Sequence, residues 1–166
     1  SESGISPRAI PGSDAIVISD SDEHTEDGHI TEDLEARIRQ HDKRLVKHEG
    51  LAKEALPPEY YGPPNAETLL LTWGSTYGPA REAVDRLNEQ KASVGLLHFA
   101  QVWPLHADAV RNALERRKRI ISVEGNHTGQ LASVLREAGL LGECETILRY
   151  DGMPFSGEAI ARKVTS

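Results

Sequence analysis

The densest set of chemically capable groups in this 166-residue chain is VEGNHTGQL, Val123–Leu131. It brings together a carboxylate (Glu124), two amides (Asn126 and Gln130), an imidazole (His127), a hydroxyl (Thr128) and two glycines (Gly125 and Gly129). A carboxylate and an imidazole at such a junction can act as general acid and base. The same groups can equally cap a helix and hold the segment against a neighbour. The spacing fixes no second catalytic group beside Glu124, so the anchoring reading is the simpler one.

Two further segments have the same character. WGSTYGP, Trp73–Pro79, presents Gly74, Ser75 and Thr76 before a helical pattern. Backbone N–H groups there could cradle a phosphate, but neither G-x-G-x-x-G nor G-x-x-x-x-G-K-[ST] is present, which favours a Ser/Thr helix cap. HFAQVWP, His98–Pro104, carries His98, Gln101, Trp103 and Pro104. Trp103 reads as a packed aromatic and Pro104 as a helix-start proline; His98 reads as a hydrogen-bonded structural histidine or an acid/base group.

The elements that position these segments alternate from Glu67 onward. TLLLTW, SVGLLHF, RIISVE and CETILRY are strand-like. PAREAVDRLNEQ, HADAVRNALERR, GQLASVLREAG and SGEAIARKV are helical, with Pro79 in a first turn and Gly139 at a helix end. The apolar runs are short and continuous, as in strands buried on both faces. Strand–helix repetition with short links predicts an α/β fold: three layers, a mainly parallel sheet flanked by helices. In such a sheet ligands and partners meet the carboxyl ends of the strands, and all three polar segments follow strands.

Residues 1–66 read differently, as a connector with a helical and irregular extension. DAIVIS, Asp14–Ser19, is strand-like. DSDEHTEDGH is acidic but fails the calcium-loop pattern, because Thr25 and Thr31 stand where the turn glycine and closing glutamate belong; it reads as a solvated loop. Leu34, Ile38, His41, Leu45, His48, Ala52 and Ala55 form one helical stripe that predicts packing on a larger body. LPPEYYGPPNAE ends it as a proline-rich connector. The boundary falls near Glu67, giving units 1–66 and 67–166.

Composition narrows the function classes. A net charge of −7 argues against a nucleic-acid partner; ERRKR, Glu115–Arg119, is accounted for as cations at a helix end. One cysteine, Cys144, cannot build a disulfide framework or a cluster site and suits a cytoplasmic setting. No apolar run reaches membrane-spanning length. The first residues form no signal peptide, and the missing initiator Met suggests a processed chain or a piece of a longer one.

TLLLTWGSTYGPAREAVDRLNEQ, SVGLLHFAQVWPL and RIISVEGNHTGQLASVLRE, with GISPRAIPG, DEHTEDGHITED, DKRLVKHE and RYDGMPFSGEAI, resemble the C-terminal region of the alpha subunit of 2-oxoacid:ferredoxin oxidoreductases. The resemblance covers nearly the whole chain and implies a transketolase C-terminal-like domain. One departure is Lys91, where the family commonly has Gly after the helix, so Lys must take an uncommon conformation or the turn is built differently. The resemblance implies an intact enzyme that oxidatively decarboxylates a 2-oxoacid with coenzyme A, using thiamine diphosphate and magnesium, and passes electrons through iron–sulfur clusters to ferredoxin. This chain has no GDG motif and no cysteine set, so it is expected to bind none of these cofactors, to be inactive alone and to serve domain packing and subunit assembly. Its expected partners are the other domains and subunits of the enzyme. Gly74, Ser75, Thr76, His98, Gln101, Trp103, Pro104, Glu124, Asn126, Gly129 and Gln130 are the expected contact residues. Arg8, of the SPR segment, is a candidate contact for an anionic substrate or coenzyme A, or bonds backbone carbonyls locally. Two other readings stay open: a free-standing nucleotide- or coenzyme A-binding α/β module using the strand-end loops, and an assembly module docking through helix Thr31–Leu56.

Overall fold

The computed structural model describes residues 2–18 and 22–166. They form two compact units, Ser1–Glu54 and Ala55–Ser166.

The second unit is built on a five-stranded sheet in the order β1-β3-β2-β4-β5. Its strands are β1 (Glu59–Tyr61), β2 (Thr68–Trp73), β3 (Val94–Phe99), β4 (Arg119–Glu124) and β5 (Glu145–Leu148). Strands β2 to β5 are parallel, and β1 runs antiparallel to β3. Between them run α2 (Tyr77–Glu89), α3 (Ala107–Leu114) and α4 (Gln130–Glu137), and α5 (Gly157–Thr165) follows β5. Successive strand residues alternate between two cores. Leu70, Leu96, Ile121 and Val123 pack with Ala80, Ala83, Val84 and Leu87 of α2 and Ile160 and Val164 of α5. Leu69, Leu71, Leu97 and Phe99 pack with Val110 and Leu114 of α3 and Leu131, Ala132 and Leu135 of α4. Continuous apolar runs follow from this, because both faces of each central strand are covered; all of β3 is buried. The three-layer α/β expectation is met.

The sequence reading of LPPEYYGPPNAE as connector alone is corrected. Glu59–Tyr61 adds an edge strand, so the compact unit begins at Ala55, ahead of Glu67. The strand is short and rimmed by prolines, which hides its edge from sequence patterning. It is locked by close contact: a Cβ on Gly95 of β3 would lie 2.5 Å from the Tyr60 hydroxyl, which itself donates to the Pro63 carbonyl.

Helix α2 ends in a Schellman arrangement: Lys91 N–H donates to Asn88 O at 2.9 Å and Ala92 N–H to Leu87 O at 3.0 Å. Lys91 therefore takes φ 64°, the left-handed conformation. Gly139 ends α4 the same way at φ 69°. The positions are equivalent, but Lys91 adopts the turn at a steric cost that Gly139 avoids.

The first unit centres on α1 (Leu34–Lys53), capped by Asp33, whose side chain accepts from Ala36 N at 2.6 Å. Two expectations change here. Asp14–Ile18 is not a strand, and Ile16 and Val17 are exposed; Ser19 lies outside the described residues. The acidic segment is more structured than a solvated loop: His24 and Ile30 form an antiparallel bridge closed by Thr25 N–H to His29 O at 2.9 Å. Arg44 grips Glu23 through two hydrogen bonds of 3.0 and 2.8 Å; Asp20 lies outside the described residues. Of the stripe residues, Leu34, Ile38 and Leu45 are exposed among the described residues.

Candidate functional site

The carboxyl edge of the sheet collects the three polar segments, as the parallel strands require. They are not equally open. Glu124 is 0% exposed. Its Oε1 accepts from Ser122 Oγ at 2.8 Å and Ala132 N at 3.1 Å. Its Oε2 accepts from Asn126 Nδ2 and Leu131 N, both at 2.8 Å, and from Trp73 Nε1 at 3.3 Å. Helix α4 starts after Gly129, which has no side chain to cap it and sits at φ 66°, ψ 57°. Its orphan N–H groups must therefore find remote acceptors. Asn126 Oδ1 accepts from Thr128 N, Gly129 N and Gln130 N at 3.2, 2.8 and 3.2 Å; Glu124 takes the next two. Burial opposes the charge on Glu124, but hydrogen bonds from Asn126, Leu131, Ser122 and Ala132 together hold its carboxyl below the usual range. The carboxylate is spent on the helix start and the β2–β4 junction. The signal for this was available: an acid at a strand end, followed by a helix whose cap position is glycine.

A second internal cluster surrounds His98. Its Nδ1 lies 3.0 Å from Thr72 Oγ1 on the neighbouring strand. The Tyr77 ring stands against it with centroids 4.5 Å apart, and Tyr77 donates its hydroxyl to Glu59 at 2.9 Å. Burial lowers the His98 pKa, with the Glu59 charge opposing, so the ring is held neutral.

Gln101 clips the β3 loop: its Nε2 donates to Pro104 O at 3.0 Å, and its Oε1 accepts from Leu56 N at 3.3 Å. The expectations for Trp103 and Pro104 are corrected. Trp103 is 62% exposed. Helix α3 begins at Ala107, capped by His106 Nδ1, which accepts from Ala109 N at 3.3 Å. Of the expected contact residues, Gly74, Ser75, Trp103 and Gln130 are exposed; Gln101 and Asn126 are half-buried; Thr76, His98, Pro104, Glu124 and Gly129 are buried. Arg8 is exposed in the irregular start of the first unit.

A cleft of about 540 Å³ opens at this edge between Ser75, Gly125, Tyr150, Met153 and Phe155. Its outer wall is the loop Arg149–Phe155, and the strand reading of CETILRY is corrected here: β5 ends at Leu148, so Arg149 and Tyr150 belong to the loop. At the opposite edge the basic run is tied down: Lys118 pairs with Glu67 and Arg119 with Glu145, both at 2.6 Å. Arg117 donates to Ala66 O at 2.7 Å and lies over the Tyr60 ring. Among the described residues no group of His, Cys, Asp and Glu is arranged to hold a metal ion, and no helix is long and apolar enough to cross a membrane. Cys144 is half-buried, and burial raises its pKa, so it is a weak nucleophile.

Residues 66–158 match the family model for pyruvate:ferredoxin oxidoreductase core domain II. The chain belongs to this family. It is 37% identical over 158 residues to the alpha subunit of 2-oxoacid:ferredoxin oxidoreductase 1 from Sulfurisphaera tokodaii, covering 93% of this chain and 24% of that subunit. It is 34% identical over 98 residues to 2-oxoglutarate oxidoreductase subunit KorA from Mycobacterium tuberculosis, covering 59% of this chain and 14% of that subunit. The fold matches a 2-oxoglutarate:ferredoxin oxidoreductase from Magnetococcus marinus, solved with 2-oxoglutarate, coenzyme A and succinyl-CoA bound, at a TM-score of 0.74 and 29% identity. That match covers 99% of this chain and 29% of the other. This core domain II chain thus spans about a quarter of the length of the curated alpha subunits it matches.

Proposed function

We propose that this chain is the core domain II portion of the alpha subunit of a 2-oxoacid:ferredoxin oxidoreductase, and that it packs and assembles the enzyme without performing its chemistry. The intact enzyme oxidises a 2-oxoacid to its acyl-coenzyme A ester and delivers the electrons to ferredoxin. Thiamine diphosphate, magnesium and iron–sulfur clusters serve that reaction elsewhere in the assembly. The observation that carries the non-catalytic reading is the state of Glu124. The carboxylate of the VEGNHTGQL junction is fully buried and already accepts five hydrogen bonds, so it has no site left for a substrate proton. The single Cys144 also cannot hold an iron–sulfur cluster.

The test is turnover. The intact alpha subunit with its partner should reduce a ferredoxin-level acceptor with a 2-oxoacid and coenzyme A, and residues 1–166 alone should not. Turnover by the isolated chain would overturn the non-catalytic role; no turnover by the intact assembly with any 2-oxoacid would overturn the enzyme assignment.

The cleft between Ser75 and Met153 supports a second reading, a small-ligand module. Saturable binding of a nucleotide or coenzyme A by the folded chain, followed by calorimetry, would favour it.

A further inference from the structure

The large apolar side chains left exposed in residues 55–166 are Leu56, Trp103, Tyr150 and Met153, at 58, 62, 66 and 63%. All four lie at the carboxyl edge of the sheet. Trp103 follows β3, and Tyr150 and Met153 follow β5. Leu56 precedes the antiparallel β1 and is bonded through its N–H to Gln101, so it joins the same edge. At the amino edge, by contrast, Glu67, Lys118, Arg119 and Glu145 pair with one another. Scattered exposed apolar residues are ordinary, but segregation to one edge is not.

The loop carrying two of the four is pre-ordered. Arg149 donates to Asp151 at 2.8 Å and to Pro154 O at 2.6 Å, and Asp151 accepts from Met153 N at 3.0 Å. Tyr150 meets His127 edge-on, centroids 4.6 Å apart. The loop thus holds Tyr150 and Met153 outward without needing a partner to fix it, which lowers the entropy lost on docking. Aromatic and methionine side chains are the types enriched at the centres of protein interfaces.

We infer that Leu56, Trp103, Tyr150 and Met153 form an apolar docking edge, and that its occupant is a protein surface from the remainder of the larger alpha subunit. The inference rests on the core domain II reading and adds the contact residues. Two observations select the occupant. The edge runs from β1 to β5, roughly 19 Å at the usual strand spacing, which exceeds a single small ligand in the Ser75–Met153 cleft. The curated relatives place about three quarters of their length outside the matched region, so most of the polypeptide that could cover the edge belongs to the same subunit.

Met153 is the only methionine of the chain, which makes it a reporter. In the intact alpha subunit, its oxidation by dilute hydrogen peroxide is followed by peptide mass spectrometry, native against urea-denatured. A covered edge gives oxidation at least tenfold slower in the native subunit. A ratio within twofold overturns the inference. So does protection that disappears on dilution in step with dissociation of an oligomer, because the occupant is then a second copy. Y150D should abolish the protection; protection that survives it also overturns the assignment. Turnover is read in parallel: an active enzyme with freely oxidised Met153 defeats this inference alone, whereas an inactive assembly defeats the functional reading whatever Met153 does.

Discussion

Trp73, at the end of β2, donates its indole N–H across the sheet to Glu124, at the end of β4, over 3.3 Å. This bond ties together the two strands whose loops diverge to opposite faces. The same carboxylate oxygen takes the Leu131 N–H of α4, so one side chain couples sheet, helix start and loop.

Replacing Glu124 by Gln keeps the shape but turns one acceptor into a donor aimed at N–H groups. A buried charged acceptor with this many partners predicts destabilisation of about 2–4 kcal/mol for E124Q. The denaturation midpoint of the chain checks it; a loss below about 0.5 kcal/mol would match an ordinary surface site instead.

Acid should weaken the fold in two stages. His98 has a lowered folded pKa, so it stays neutral while the unfolded chain takes up a proton; its stability is intact above about pH 6.5 and falls as pH drops below that value. Glu124 has a lowered folded pKa, so its contribution is intact above about pH 4.3 and is lost as pH falls through the folded value. Thermal midpoints between pH 8 and pH 3 should show both stages. H98N should remove the upper one, and E124Q should diminish the lower one, to which Glu23, Asp27, Glu145 and Asp151 also contribute.

Lys91 supplies a stabilising substitution. Lys91→Gly relieves a left-handed side chain, partly offset by the freer unfolded chain, for a gain of about 0.5–1 kcal/mol. Lys91→Ala should leave stability nearly unchanged. A destabilised glycine variant would mean that the Lys91 side chain makes a compensating contact.

Gly95→Ala should dislodge β1. The new methyl would meet the Tyr60 hydroxyl at 2.5 Å and Ala66 Cβ at 3.2 Å, a clash costing about 1–3 kcal/mol. Truncating the obstacle in a Gly95→Ala, Tyr60→Ala pair should cost less than the sum of the single changes. Additivity would show that Tyr60 is not the group in the way.

The sheet was legible because buried parallel strands impose short apolar runs, and TLLLTW, SVGLLHF and RIISVE have no competing periodicity. The demand at Lys91 was legible too, since a helix end without glycine must still turn. β1 was not: three residues among prolines carry no period, and only the pairing of Glu59–Tyr61 with β3 makes them a strand. The direction of polar side chains was equally hidden. VEGNHTGQL looks outward as a string, yet Glu124 and Asn126 turn inward because glycine at the helix cap leaves donors for them to satisfy. Tyr150 reads as the end of the strand CETILRY and Met153 carries no signal, because where the strand stops and what the loop exposes depend on the local bonds of Arg149 and Asp151, which spacing does not encode.

The central claim is that the carboxyl edge is a packing surface of a larger subunit. Amide hydrogen exchange compares its edges most directly, in the intact alpha subunit and in residues 1–166 alone, with the β2, β3 and β4 amides as controls for folding. Slower exchange in the intact subunit at Gly74–Thr76, Gln101–Trp103, Gly125–Thr128 and Tyr150–Met153, with none at Arg117–Arg119, is the predicted result. Equal exchange at both edges in the two samples would contradict it.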